Sequence, residues 1–535
     1  MKTFTKILFT AVLLVTFACN GHAQNRAQND LDRLSKKYAA ILYLMDRFYL
    51  DTVNMEQVVD KAIVDLMKGL DPHSYYINKE DYKAMSEPLA GNFDGIGIEF
   101  TILEDTLIVV YPLSGGPSEK VGVLSSDRII KVDGENIAGV GLTNERVPLL
   151  LKGPKGTKIT ITIKRGNNIL DFNIVRDKIP LTSLDAAYEI KPGMVYMKLS
   201  RFAGTSIEEM NKAFAEFESP KSMILDLRGN GGGFLPIAIG LADKFLEAKQ
   251  LIVYTEGLNV RTERANATGN GNFKNGNLVV LIDEGSASAS EIVAGAVQDW
   301  DRGILIGRRS FGKGLVQQEF PLNDGSAVRL TVSRYHTPSG RAIQSPYIKG
   351  KSDKYYMDYY ERFSSEIFST DSAYNKLPDS LKYNTLKSGR VVYGGGGVMP
   401  DIYIPVDTSN YSKYSNELLR KGVILQFVSS YMDKNRVEFR EKYTTFDSFN
   451  KSFNITNNLF NQIVAAGEKE GVKKDEEGIK TSRSELSQYT KALIAKDLFS
   501  TSEYFQIINE DNPIYLKAID VLDNWEKYNK EILKN

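Results

Sequence analysis

The chain has 535 residues, 42% hydrophobic and 25% charged, with 67 basic against 67 acidic side chains and a formal net charge of zero. This length predicts about three or four globular domains, and the balanced charge gives no support to a nucleic-acid or polybasic membrane reading. One cysteine and three histidines exclude a disulfide framework and argue against a multi-histidine metal site.

In chain order, the first segment is "MKTFTKILFTAVLLVTFACNGHAQ". Lys2 and Lys6 precede an apolar run from Ile7 to Ala18, and Gly21-His22-Ala23 supplies small residues for cleavage. Residues 1–23 read as a secretory signal peptide, too short to span a membrane. Export to the periplasm is the expectation, with secretion or a lipid anchor on Cys19 as alternatives. Cleavage after Ala23 would leave a mature chain without cysteine.

Residues 30–82 form an N-terminal helical region, because "YAAILYLMDRFYL" and "MEQVVDKAIVDLMKGL" repeat apolar residues at three and four. "LDPHSYYI" closes it with a proline turn. From 84 to 178 the texture changes to short β-branched runs punctuated by glycine, such as "GIGIEFTI" and "KITITIKRG", which predict a small β-rich domain. Residues 179–407 alternate strand and helix: "MVYMKLSRF", "SIEEMNKAFAEFE", "MILDLRG", "FLPIAIGLADKFL", "LVVLIDE", "ASEIVAGAVQDW", "GILIG". That alternation predicts an α/β core with partly parallel strands and functional groups near strand ends. Residues 346–395 are polar and tyrosine-rich and read as an insertion. Residues 408–535 read as a charged helical region. The fold class is therefore α/β and multidomain.

The motif that asks for chemistry is "GILIGRRSFGKGLVQQ", residues 303–318. Gly307-x4-Gly312-Lys313 approaches a phosphate-binding loop, but Gly314 stands where Ser or Thr must ligate Mg²⁺, and strand rather than helix follows. No nucleotide is expected. Ser310-x-x-Lys313 spells a serine–lysine pair, but Gly312 and Gly314 oppose the helical turn it needs, and the companion "SDN" and "KTG" motifs are absent. The third possibility makes Lys313 the base for a serine elsewhere. Upstream, "LIDEGSASASEIVAGAVQD" is a strand, a small-residue turn and a helix. A serine there lies near backbone N–H groups and the positive end of the helix. Ser286, Ser288 and Ser290 are equal candidates by spacing, and Ser288-x-x-Glu291 is also an ordinary capping box.

"GSASASEIVAGAVQD", "GRRSFGKGLVQQ", "TPSGRAI" and "GGGGVMPDI" together resemble the carboxyl-terminal processing peptidases, serine peptidases of the tail-specific class with a crotonase- and Clp-protease-like core. The resemblance spans roughly residues 35–345 and 390–405. It implies Ser288 as nucleophile, Lys313 as base and Gln317 as the residue orienting the lysine. "LRGNGGG" matches the family's glycine loop and implies an oxyanion donor at Gly232 or Gly233, partnered by Ala289; Gly231 stands where the family more often has proline. "FDGIGIEF" resembles the carboxylate-receiving loop of a PDZ domain, here Gly95, Ile96, Gly97 and Ile98, so substrates would be proteins or peptides with a free C-terminus. Ser126 stands where the PDZ pattern has glycine. No cofactor and no metal is implied. His73 takes a structural position, and a homodimer through the N-terminal helices is left open. The region after Asp407 has no counterpart in the resemblance. A peptide-binding scaffold without hydrolysis and an acyl-CoA enzyme on the same architecture are the competing readings; the intact motif set opposes the first, and the signal and PDZ segments the second.

Overall fold

The computed structural model describes residues 30–113, 115–366 and 378–533. The signal-peptide segment and Cys19 lie outside the described residues. Helix 30–48 is followed by helix Met55–Lys68, whose first turn is capped by the Asn54 side chain accepting from Gln57 N–H. None of the described helices is long and apolar enough to cross a membrane.

The proline turn does more than end the helical region. Tyr75–Ile77 pairs antiparallel with Ala327–His336, deep in the α/β part of the chain. Helix Lys79–Ala90 then runs across the junction expected near residue 83, stopped by Gly91 in the left-handed region at φ 74°. A ribbon of Asn92–Gly95 against Asp177–Pro180 carries the chain into and out of the small domain. Within it, Ile98–Leu103, Thr106–Pro112, Arg128–Val132, Lys158–Arg165 and Asn168–Val175 form an antiparallel sheet in chain order. Alternate residues of these strands, among them Leu107, Val109, Ile129, Ile161 and Ile163, bury against helix Arg146–Leu151.

The principal sheet has the order Leu184–Lys191, Met194–Leu199, Ser222–Asp226, Asn277–Ile282, Ile304–Gly307, Ile402–Tyr403. Its first pair is antiparallel and the rest parallel. Both faces of such a sheet are apolar, so both need cover. Helices Leu235–Asp243 and Ala289–Asp299 cover one face. The other is covered by Ile514, Tyr515, Ala518, Val521 and Leu522 of helix Pro513–Asp523, which pack on Ile224, Val279, Leu281, Ile304 and Ile306. The C-terminal region is thus not a separate tail, because its last helices complete the core. Its earlier helices, from Lys413–Arg420 to Glu476–Leu498, enclose a core of their own around Leu418, Met432, Phe449, Phe460 and Leu486.

Candidate active site

Ser222–Asp226, Asn277–Ile282 and Ile304–Gly307 are adjacent and parallel, so their carboxyl ends lie side by side. The loops that leave them are the glycine loop 227–233, the turn 283–288 and the lysine turn 308–314. They meet at a cleft of about 520 Å³ lined by Gly232, Gly233, Ser288, Ala289, Lys313, Gln317 and Tyr335, among others.

Four serines compete for this place in the sequence, and burial separates them. Ser286 Oγ donates to Leu227 O at 2.8 Å, and Ser290 Oγ to Asn230 O at 2.8 Å. Ser310 Oγ donates to Glu291 Oε1 at 2.5 Å and accepts from Val398 N at 2.6 Å. All three are buried, and their hydroxyls serve the loops. Ser288 alone of the four lines the cleft. It precedes the helix at φ 56°, ψ −111°, a backbone setting that a non-glycine residue adopts at a cost of about 1–3 kcal/mol.

The glycine loop lies against this serine. A Cβ on Gly232, where φ is 103°, would sit 2.9 Å from Ser288 Cβ and 3.1 Å from Ala289 N. The Gly232 N–H, however, donates to Asn230 Oδ1 at 2.9 Å. That bond takes Gly232 out of the pair expected from the sequence. The N–H groups of Gly233 and Ala289 donate to no acceptor among the described residues.

Two buried side chains tie residue 288 to residue 313. The Glu291 carboxylate accepts Ser288 N–H at 2.8 Å and Lys313 N–H at 2.9 Å on one oxygen, and Gly312 N–H at 2.8 Å beside the Ser310 hydroxyl on the other. The Tyr335 hydroxyl meets Ser288 O at 3.1 Å and Lys313 O. Glu291 therefore makes the reach-back bond of a capping box and three further bonds. Burial pushes its carboxyl up to about 7, against the pull of its four donors. Burial likewise brings the Lys313 ammonium down to about 8, helped by the Arg329 guanidinium and opposed by Glu291 and Asp71. Among the described residues no carboxylate bonds Lys313 Nζ.

Gln317 lines the same cleft and donates from Nε2 to Leu315 O at 3.3 Å and Thr331 Oγ1 at 3.4 Å. Thr331 in turn donates to Asp71 of the proline turn at 2.8 Å. His73, two residues on, is buried edge-on to Tyr355, and burial with the nearby Lys313 charge brings it down to about 4. It does not line the cleft. His336 stacks on Tyr254 with ring centroids 4.8 Å apart. The lysine turn is held from outside by the insertion. Arg362 of helix Ser352–Glu366 donates to Phe311 O at 2.8 Å and Gly396 O at 2.8 Å, and Tyr359 packs on Phe311. Tyr335, Asn230, Arg329 and Arg362 are missed by sequence reasoning. The one local signal is the alternation Thr331, Ser333, Tyr335, which puts three polar groups on one face of a strand.

In the small domain, Gly97 has φ 73°, and a Cβ there would meet Ile179 Cδ1 at 2.9 Å. The carbonyls of Ile96 and Gly97 accept from Ser118 and Leu113. The N–H groups of Ile96 and Gly97 donate to nothing among the described residues. The strand that follows, Ile98–Leu103, is an edge of its sheet.

Comparison with known proteins matches residues 193–351 to peptidase family S41, residues 95–175 to the PDZ domain and residues 414–500 to a family of unknown function. The carboxy-terminal-processing protease of Bartonella bacilliformis is 36% identical over 355 residues, 63% of this chain and 80% of that protein. The carboxy-terminal processing protease CtpA of Bacillus subtilis is 33% identical over 363 residues, 65% and 76% of the two chains. Among solved structures, the photosystem II D1 C-terminal processing protease is 27% identical, with 58% of this chain and 90% of that chain covered at a TM-score of 0.32. With its PDZ domain and peptidase core, the chain belongs to peptidase family S41 and is a serine peptidase of the carboxy-terminal processing family.

Proposed function

We propose that the chain is an endopeptidase in which Ser288 attacks the scissile carbonyl while neutral Lys313 takes its proton. The observation that carries this reading is the pair of groups on the cleft: the one cleft-lining serine of four, and a desolvated lysine with no carboxylate at Nζ among the described residues. A lysine of pKa 10.5 is neutral in only about three molecules in ten thousand at pH 7, whereas one near 8 is neutral in about one in ten. The N–H groups of Ala289 and Gly233 then hold the oxyanion, each worth on the order of 3 kcal/mol. Lys313 returns the proton to the leaving amine, leaving an acyl-enzyme, and activates the water that releases it. Gln317 lies on the same cleft as a neutral amide, which can orient the lysine without the charge that would fix it as an ammonium. His73 is the runner-up base, but it is buried against Tyr355 and does not line the cleft. The pH profile tests the choice. kcat/KM should rise about fivefold between pH 7 and 8 and level off above about 9, about tenfold above its value at pH 7. A profile flat over that range with bond cleavage rate-limiting would reject a lysine base.

Recognition rests on the loop Gly95–Ile98. Unused N–H groups beside an edge strand suit a terminal carboxylate followed by an extended peptide added to the sheet. The apolar amino-terminal run supports export, so the substrates are envelope proteins presented by their C-termini. Two peptides of one sequence, one with a free carboxylate and one amidated, check this. At sub-saturating concentration the free form should be cleaved at least about tenfold faster, and equal rates would remove terminus reading from the function.

A further inference from the structure

Ser126 occupies a turn position with φ 70°, in the left-handed region that favours glycine, and it stands where the PDZ pattern has glycine. Its hydroxyl gives a reason for the exception. Ser126 Oγ accepts from Arg436 Nη1 at 2.6 Å, across from the C-terminal helical domain. Arg436 is buried and is held in that direction by Asp497, which accepts from its Nε and Nη2 at 2.9 Å each. Two further pairs flank the contact: Arg128 with Asp433 at 2.7 Å and Glu99 with Lys496 at 3.3 Å. Those flanking pairs are partly exposed and weak by themselves. The Arg436 contact is the enclosed one, and it fixes the register of the interface.

The position of this contact relates it to the reaction. Glu99 follows directly on Ile98 of the carboxylate loop and lies on the edge strand. On the other side, Ser502 stands five positions after Asp497, and its Oγ accepts from Ala187 N of the principal sheet at 3.0 Å. Ten residues further, Asn512 Oδ1 accepts from Arg228 at 2.8 Å, where Arg228 doubly engages the buried Asp226 at the start of the glycine loop. One short stretch of the C-terminal domain is thus fastened to the PDZ domain and to the catalytic core.

We propose that the C-terminal helical domain docks the PDZ domain in a fixed orientation on the peptidase core, with Ser126 and Arg436 as the positioning residues, so that a substrate held by its terminus is delivered to the cleft. This rests on the terminus-reading function above. A fixed orientation raises the effective concentration of the tethered chain at Ser288, and a loosened one lowers it without changing either site.

Ser126→Gly is the clean test, because glycine suits φ 70° and only the small hydroxymethyl group is lost. Ser126→Gly combined with Asp433→Asn removes a second contact. The measurements are kcat/KM for the free-carboxylate and amidated peptides in the full chain, and the Kd of the free peptide on the Ser288→Ala background. The expected result is a three- to tenfold fall in kcat/KM for the free peptide, larger in the double variant. Amidated-peptide turnover and Kd should stay within twofold of the parent. A wild-type free-to-amide ratio of one would overturn terminus reading and the docking proposal together. A wild-type ratio above one that is unchanged or increased in the variants would overturn the docking proposal alone, as would an equal loss on both peptides.

Discussion

Ser288→Ala and Lys313→Met should each lower peptide hydrolysis by at least about 10⁴-fold while the chain stays folded. Ser288 opens onto the cleft, and its side chain otherwise serves only the capping box with Glu291, so alanine removes the nucleophile at the cost of one cap contact, about 1 kcal/mol. The left-handed backbone at this position is kept, since alanine carries the same Cβ. Lys313→Met keeps the length and apolar stem while deleting an amine whose burial disfavours its charged form. Its unfolding midpoint should be unchanged or higher. The double variant should be no slower than either single one, because two groups that act in one proton transfer are lost as a unit. Turnover with a fluorogenic peptide and thermal unfolding on the same samples decide the matter. Residual activity above about 1% in Lys313→Met, or a profile of kcat/KM that still rises through pH 8, would assign the base elsewhere.

The sequence makes the strands of the principal sheet plain, because strands buried on both faces read as continuous apolar runs such as Leu278 to Ile282. It does not separate Ser286, Ser288 and Ser290. The bonds that retire Ser286 and Ser290 run to carbonyls about sixty residues away in the glycine loop, and only the motif resemblance points to Ser288. Glu291 shows the same limit from the other side. Its spacing from Ser288 announces a helix cap, and one of its bonds is that cap. The other partners, Ser310, Gly312 and Lys313, are contributed by the next strand's exit loop, and no local pattern encodes them. Gly232 and Gly233 are indistinguishable by type, and the Asn230 side chain decides which N–H stays free. The C-terminal region is unreadable as part of the core for a similar reason. The amphipathic face of Pro513–Asp523 is visible in sequence, but the sheet it covers is built from residues more than a hundred positions earlier.

Glu291→Gln tests that hub and should produce the second-largest loss of activity. The carboxylate accepts four bonds with two oxygens. A glutamine amide keeps one oxygen and turns an NH₂ toward donors on the other side. Two donors then face a donor, at about 1–3 kcal/mol for each buried group left unsatisfied. Because those donors hold the turns carrying Ser288 and Lys313, the expected result is a fall in kcat of about 10²-fold with KM little changed. The pH dependence identifies the cause. The Glu291 charge raises the Lys313 pKa, so its removal must lower it, and the limb of kcat/KM should move to lower pH. In the parent enzyme Glu291 takes up a proton as the pH falls through about 7. Its acid limb should therefore steepen from one proton between pH 7 and 8 to two below 7. The glutamine variant has nothing to protonate there and should keep a slope of one throughout. A limb that stays in place, or a two-proton slope that survives the substitution, would show that Glu291 is a helix cap and nothing more.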